Sequence, residues 1–260
     1  MKERLDKNLV NNKLISTRTR AKELIESNYV EVNNKIINKC SYLVSDDDSI
    51  NILDNKYLRY VSRGGLKLEG AINSFNIDFT NKIVMDIGSS TGGFTDCSLK
   101  HGASKVIAID VGTDLMVDSL RKDNRVELYE QLNIKDAPSK LFNNVDIIVT
   151  DVSFISLSHI IDRVAKEDKD YELVFLIKPQ FECGKDIATK YQGIIRDKEV
   201  HINILKDIVS YFYHKGYNLI DLDVSPIHGR DGNIEYLGHF IKNNNSKSIN
   251  IESIVNKAFR

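Results

Sequence analysis

Ile83-Val-Met-Asp-Ile-Gly-Ser-Ser-Thr-Gly-Gly-Phe94 is the stretch that decides the fold. A short apolar run meets Asp86, turns through Gly88, Gly92 and Gly93, and continues as a helical pattern to about Gly102. Glycines between a buried strand and a helix let a ligand approach the backbone, and the free N–H groups of the helix start face it. Outward from this turn the same punctuation recurs in Val106-Ile-Ala-Ile-Asp110, Asp146-Ile-Ile-Val-Thr-Asp151 and Leu173-Val-Phe-Leu-Ile-Lys178, with helical patterns over 156–164 and 201–216. Apolar runs that end in a polar residue and alternate with helices describe a parallel sheet covered on both faces. Two more strands, over 217–225 and 234–240, are expected to extend the sheet edge.

The turn differs from the G-x-G-x-x-G dinucleotide pattern, because Ser89-Ser90-Thr91 separates Gly88 from Gly92. A pyrophosphate needs glycine-lined backbone, whereas the sulfonium and amino-acid end of S-adenosylmethionine accept hydroxyl-lined, acidic surroundings. The residues therefore favour S-adenosylmethionine over NAD. Asp110 ends the next strand 22 residues after Gly88, where a carboxylate can accept both ribose hydroxyls. The bland alternative is a tight strand-to-helix turn that holds nothing.

Asp151 and Lys178 stand at strand ends and should emerge on the carboxyl side of the sheet, where open α/β sheets bind ligands. Lys67 and Glu235 also sit at the edges of apolar runs. Methyl transfer to a ribose hydroxyl needs a base, and a lysine desolvated by its neighbours can take that role while carboxylates hold it in place. Exocyclic amine acceptors usually meet Asn/Asp-Pro-Pro-aromatic after such a strand, and carbon-5 methylation of a pyrimidine needs a nucleophilic cysteine. Asp151-Val-Ser-Phe-Ile-Ser156 contains neither, which leaves a ribose hydroxyl as the acceptor that fits. Competing readings are a solvated helix start for Lys67 and a pair with Arg230 for Glu235. His228 reads as a structural or RNA-facing loop residue.

The 260 residues carry 36 Lys/Arg against 37 Asp/Glu, net −1, which excludes a wholly basic nucleic-acid coat. Residues 1–70 hold 13 basic against 10 acidic side chains, so the positive excess lies at the front. Cys40, Cys97 and Cys183 form no C-x-x-C pair, and neither a disulfide framework nor a metal site is expected. No apolar leader or membrane-length run is present in the sequence, and a cytoplasmic protein is expected.

In the front segment, apolar positions over 3–25 suggest two short helices broken near Leu14 to Thr17, with Ser16 or Thr17 as cap of the second. Arg18, Arg20 and Lys22 give that helix a cationic face. Tyr29-Val-Glu-Val-Asn-Asn-Lys-Ile-Ile37 reads as a hairpin turning at Asn33-Asn34, followed by a strand over 49–53. On Arg4-Leu5-Asp6, Ser16-Thr-Arg-Thr-Arg-Ala-Lys-Glu-Leu-Ile25 and Val30-Glu-Val-Asn-Asn34 the segment resembles the RNA-binding module named after ribosomal protein S-four. The resemblance implies RNA contacts by Arg4, Arg18, Arg20 and Lys22; a merely solvated helix face is the alternative.

Across most of its length the chain resembles the TlyA family of ribosomal RNA 2′-O-methyltransferases, an FtsJ-like class that also carries the label hemolysin. The motifs are Tyr60-Val-Ser-Arg-Gly-Gly-Leu-Lys-Leu68, Asp86-Ile-Gly-Ser-Ser-Thr-Gly-Gly-Phe-Thr-Asp96, Thr150-Asp-Val-Ser-Phe-Ile-Ser156, Leu176-Ile-Lys-Pro-Gln-Phe-Glu182 and Gly232-Asn-Ile-Glu-Tyr236. The resemblance implies an α/β fold, a Rossmann-like S-adenosylmethionine-dependent methyltransferase sheet with a small N-terminal α+β RNA-binding domain. It places that domain at 1–55, a linker at 56–66, the methyltransferase domain at 67–242, and a polar linker with a C-terminal helix at 243–260. It makes Lys67, Asp151, Lys178 and Glu235 the catalytic tetrad, with Lys178 as base. It assigns cofactor contacts to Ser62, Gly88, Ser89, Thr91, Gly92, Gly93, Phe94, Asp110, Val111, Gly112 and Asp151. The implied substrate is cytidine ribose in ribosomal RNA within ribosomal subunits. A monomer with no membrane and no obligate protein partner is expected. Two other classes stand beside this reading: a catalytically idle ribosome-binding assembly factor and a membrane-active hemolysin.

Overall fold

The computed structural model describes residues 2–15, 17–53, 55–229, 232–242 and 248–260. Ser16 as a cap, Arg230 as a partner of Glu235 and the polar linker at 243–246 lie outside the described residues. The chain divides into two compact units, Met1–Ser62 and Arg63–Arg260.

The first unit contains β1 (Glu3–Arg4), α1 (Leu5–Asn11), α2 (Arg18–Glu26), β2 (Val30–Val32), β3 (Lys35–Ile36), β4 (Leu43–Val44) and β5 (Ile50–Ile52). Thr17 caps α2 by accepting the Arg20 N–H at 3.2 Å. Asn33 and Asn34 take φ of 51° and 62°, the left-handed pair that a two-residue hairpin between β2 and β3 requires. Three of the strands form an antiparallel sheet ordered β3-β2-β5, and β1 pairs with β4. Leu5, Leu9, Ala21, Leu24, Ile25, Val30, Val32 and Val44 make its core, the stripe that the helical and alternating patterns predict.

The second unit opens with α3 (Gly64–Phe75) and continues through β6 (Ile83–Ile87), α4 (Gly93–Lys100), β7 (Lys105–Ile109), α5 (Asp118–Arg121), β8 (Val126–Tyr129) and β9 (Ile147–Thr150). It proceeds through α6 (Leu157–Val164), β10 (Glu172–Ile177), α7 (Pro179–Glu182), α8 (Gly184–Lys190) and α9 (Lys198–His214). It ends with β11 (Asn218–Val224), β12 (Tyr236–Ile241) and α10 (Ile251–Ala258). Gly64, Gly65 and Leu66, expected within the linker at 56–66, instead form the first turn of α3. Burial of Leu66, Leu68, Ala71 and Ile72 along the helix outweighs the conformational cost of two glycines.

The seven strands are ordered β11-β12-β10-β9-β6-β7-β8. The five from β10 to β8 are parallel, while β12 runs antiparallel to both its neighbours. All four residues of β9 and five of the six in β10 are buried, as expected for strands covered on both faces. One face is covered by α6 and α9, whose Leu157, Ile160, Ile161, Leu205 and Phe212 join Ile148, Phe175 and Ile177 in a single apolar cluster. The pair α3 and α4 packs against strands β6, β7, β10 and β12. The chain runs outward from β6 to β8 and then returns to the other side of β6 as β9. Strand order therefore reverses between β6 and β9, and the carboxyl ends there border the crevice where such sheets bind ligands.

Candidate active site

At the end of β6, Gly88 takes φ +82° and Gly92 takes φ +94° before α4 begins. A Cβ on Gly88 would lie 2.7 Å from Val152 Cγ1, so the missing side chain lets the turn and the segment after β9 meet. The Gly88 N–H donates to the Ile109 carbonyl at 2.8 Å, tying the turn to β7. Asp110 then receives the Ser90 and Gly112 N–H groups, each at 2.7 Å, which orients its carboxylate over the turn. Of the remaining candidates near it, Thr91 is partly buried, Gly93 starts α4, and Val111 is 68% exposed. Phe94 is buried within α4, and Ser62 is the last residue of the first unit.

Asp86 is the acid beneath this turn. It is fully buried, and its Oδ2 accepts the Thr95 hydroxyl at 2.6 Å. Burial pushes its carboxyl up to about 7, a rise that the Thr95 hydrogen bond opposes and the charges of Asp151 and Asp110 reinforce. Asp86 Oδ1 and the Ser89 hydroxyl are buried with no hydrogen-bond partner among the described residues. Buried polar groups are nearly always satisfied, so two such atoms beside a glycine turn fit a polar ligand end bound there.

The four separated residues come together in one ion network. Lys67 lies on α3, Asp151 directly follows β9, Lys178 stands at the N-cap of α7 after β10, and Glu235 directly precedes β12. Lys67 Nζ bonds Glu235 Oε2 at 2.7 Å and lies 3.5 Å from Asp151 Oδ2. Lys178 Nζ lies 2.5 Å from Asp151 Oδ1 and donates to Ser153 Oγ at 3.0 Å. Side-chain exposures of 6% for Lys67, 8% for Lys178 and 3% for Glu235 rule out a solvated helix start for Lys67. Burial raises the Asp151 carboxyl, but the Lys67 and Lys178 charges outweigh it and hold Asp151 below its ordinary value. Such a cluster can present an amine and a fixed carboxylate to a hydroxyl at the strand ends.

Three contributors were not singled out from sequence. Ser153 bonds Lys178, Thr95 bonds Asp86, and Gly229 lies so close to Glu235 Oε1 that any side chain there would displace it. Ser153 and Thr95 are small residues inside recognised motifs, a signal that marks such positions, whereas Gly229 lies just ahead of the Gly232–Tyr236 motif and carries no such mark. His228 is exposed.

In the first unit Asp6 is shared by Arg4, at 2.9 Å, and Arg18, at 2.7 Å, and these bonds pull its carboxyl down to about 2 against the effect of its burial. Lys22 lies 3.6 Å from Glu26. Arg20 differs from its neighbours, because its guanidinium is buried and donates to Glu23 at 3.1 Å and to the Tyr60 carbonyl at 3.3 Å. Among the described residues no helix is long and apolar enough to cross a membrane, and no group of three His, Cys, Asp or Glu could hold a metal ion.

Comparison with known proteins matches residues 60–242 to the FtsJ-like methyltransferase family and residues 3–50 to the S4 domain. The chain is 44% identical over 241 residues to Hemolysin A of Brachyspira hyodysenteriae, covering 92% of this chain and 99% of that protein. It is 34% identical over 235 residues to the 16S/23S rRNA (cytidine-2′-O)-methyltransferase TlyA of Mycobacterium tuberculosis, covering 90% of this chain and 87% of that one. A solved structure described as "Putative hemolysin from Streptococcus thermophilus" superposes with a TM-score of 0.77 at 37% identity, covering 99% of this chain and 95% of that one. With its parallel sheet, its glycine turn and its buried Lys-Asp-Lys-Glu network, the chain belongs to the FtsJ-like methyltransferase family and carries an S4 domain ahead of the methyltransferase domain.

Proposed function

We propose that this chain is an S-adenosylmethionine-dependent 2′-O-methyltransferase acting on cytidine ribose in ribosomal RNA, in the cytoplasm, with the large ribosomal subunit, alone or together with the small one, as substrate. The observation that carries the reading is the convergence of Lys67, Asp151, Lys178 and Glu235, drawn from four separate elements, beside the glycine turn. The name of the Mycobacterium tuberculosis relative supports the nucleotide and the acceptor oxygen.

Gly88, Ser89, Thr91, Gly92, Gly93, Phe94, Asp110, Val111, Gly112 and Asp151 are the proposed cofactor seat. Asp110 would accept the ribose hydroxyls, and the unpartnered Asp86 Oδ1 and Ser89 Oγ would serve the amino-acid end. When bound, S-adenosylmethionine supplies an electrophilic methyl group. As the neutral amine, Lys178 takes the ribose hydroxyl proton at Nζ, and Asp151 holds that nitrogen in place and stabilises the ammonium that forms. Lys67, anchored by Glu235, balances the charge of Asp151, so the network passes from net −1 to neutral as the proton arrives. Arg4, Arg18 and Lys22 of the S4 domain supply phosphate contacts that hold structured RNA, and Arg20 supports them from within the helix.

The deciding experiment incubates the purified chain with methyl-labelled S-adenosylmethionine and ribosomal subunits that lack the modification, then maps the label. Label in 2′-O-methylcytidine is expected. Label on a base would overturn the acceptor, and bound cofactor without transfer would favour an idle assembly factor.

A further inference from the structure

We propose that Ser153 is a positioning residue for Lys178, orienting Nζ so that its electron pair faces the hydroxyl to be methylated. The inference rests on the reading of Lys178 as the proton acceptor and adds what directs it. A neutral lysine amine has two N–H groups and one electron pair in a tetrahedral array. The described residues offer Lys178 Nζ two acceptors, Asp151 Oδ1 at 2.5 Å and Ser153 Oγ at 3.0 Å. With both N–H groups occupied, the electron pair is left in the one remaining direction. Asp151 alone would fix a single N–H and leave the amine free to rotate about Cε–Nζ. The Phe181 ring centroid is 5.7 Å from Nζ, too far to replace either bond.

The segment carrying Ser153 is held tightly enough for this task. On one side Val152 packs into the space left by the missing Gly88 side chain. On the other, Glu182 receives the Leu157 N–H at 2.9 Å and the Ser156 hydroxyl at 2.7 Å, clipping the segment to the one that carries Lys178. Between these clips Phe154 takes φ +64°, a left-handed conformation that is costly for a bulky residue, and its ring lies 4.9 Å from that of Phe181. Strain of this kind persists only where the surroundings over-determine it, and here it sits next to the serine that bonds Lys178.

The test measures steady-state methylation of ribosomal subunits by the full chain in three variants. Ser153→Ala should lower kcat by about tenfold, the order expected for losing one hydrogen bond to a reacting group. KM, cofactor affinity and thermal midpoint should stay at their parent values, since Ser153 is exposed and bears no packing load. Ser153→Thr, which restores the hydroxyl, should recover kcat. Lys178→Ala should abolish transfer. Unchanged kcat in Ser153→Ala beside an inactive Lys178→Ala overturns the positioning role while leaving the base in place. A loss seen in KM alone, or one that Ser153→Thr does not rescue, overturns it also. Activity in Lys178→Ala removes the base assignment itself, an outcome told apart because it does not depend on residue 153.

Discussion

Asp6 in the first unit and Asp151 in the second are each shared by two cations, yet the pairs differ in every other respect. The partners of Asp6 are arginines whose side chains are 44% and 56% exposed. The partners of Asp151 are lysines exposed by 6% and 8%. Arginine keeps its charge at any working pH and presents a rigid fork of donors, so an exposed pair can spend the N–H groups not used by Asp6 on phosphates. Lysine can give up and recover a proton, and burial among fixed partners gives that exchange a direction. One arrangement of charge thus suits holding in water and reacting out of it.

The comparison breaks most sharply at Lys178. Replacement by alanine should cut kcat by at least about 100-fold, within the range for losing a general base, while cofactor affinity survives. Arg18→Ala should leave kcat at saturating RNA near its parent value. Equal losses of kcat in both variants would erase the distinction.

A smaller effect separates the cations of α2. Neutralising Arg18 and Lys22 should weaken RNA binding and reduce the slope of log affinity against log salt by about one per lost phosphate contact. Arg20→Ala should leave that slope unchanged and instead destabilise the first unit by about 1–3 kcal/mol, because its bonds to Glu23 and the Tyr60 carbonyl are internal. A salt slope that falls with Arg20 would return it to the RNA-facing set.

The smallest effect is in the acid response, where the two units should move in opposite directions. Asp6 is lowered from 3.8 to about 2, so its stabilisation is present above pH 3.8 and lost as pH falls through about 2. Asp86 is raised from 3.8 to about 7, so its contribution is full below pH 3.8 and is lost as pH rises through about 7. Amide hydrogen exchange on the full chain, corrected for intrinsic rates, should show β6 better protected at pH 5 than at pH 8. The first unit should begin to lose protection below about pH 4. Asp86→Asn should flatten the first response, and a persistent pH dependence of β6 in that variant would refute its cause.

Much of this layout was legible because it is written in local patterns. Thr17 before a helical stripe, Asn33-Asn34 between alternating runs, and Asp151 and Lys178 at the ends of buried strands all state their structure within a few residues. Strand β8 was not legible, since Val126-Glu-Leu-Tyr129 is only partly buried and lies at the sheet edge, where the apolar signal is diluted. Arg20 was read as one of three surface cations, yet its position in α2 turns it toward the carbonyl of Tyr60. Helical spacing does mark the inward member: Arg18 and Lys22, four apart, share a face, whereas Arg20 lies on the opposite side, four residues before the buried Leu24.

The sequence by itself determined the strand-turn-helix around Gly88, the parallel sheet, the hydroxyl-lined glycine turn and the strand-end placement of Asp151 and Lys178. These follow from periodicity and glycine chemistry, which act over short stretches of chain. Only the tertiary structure decided that Lys67 would meet Glu235, 168 residues away, and that Ser153 would bond Lys178. Partnership between charges depends on distance through space and on burial. Both are set by the strand order that brings the ends of β6, β9 and β10 and the start of β12 together at one end of the sheet.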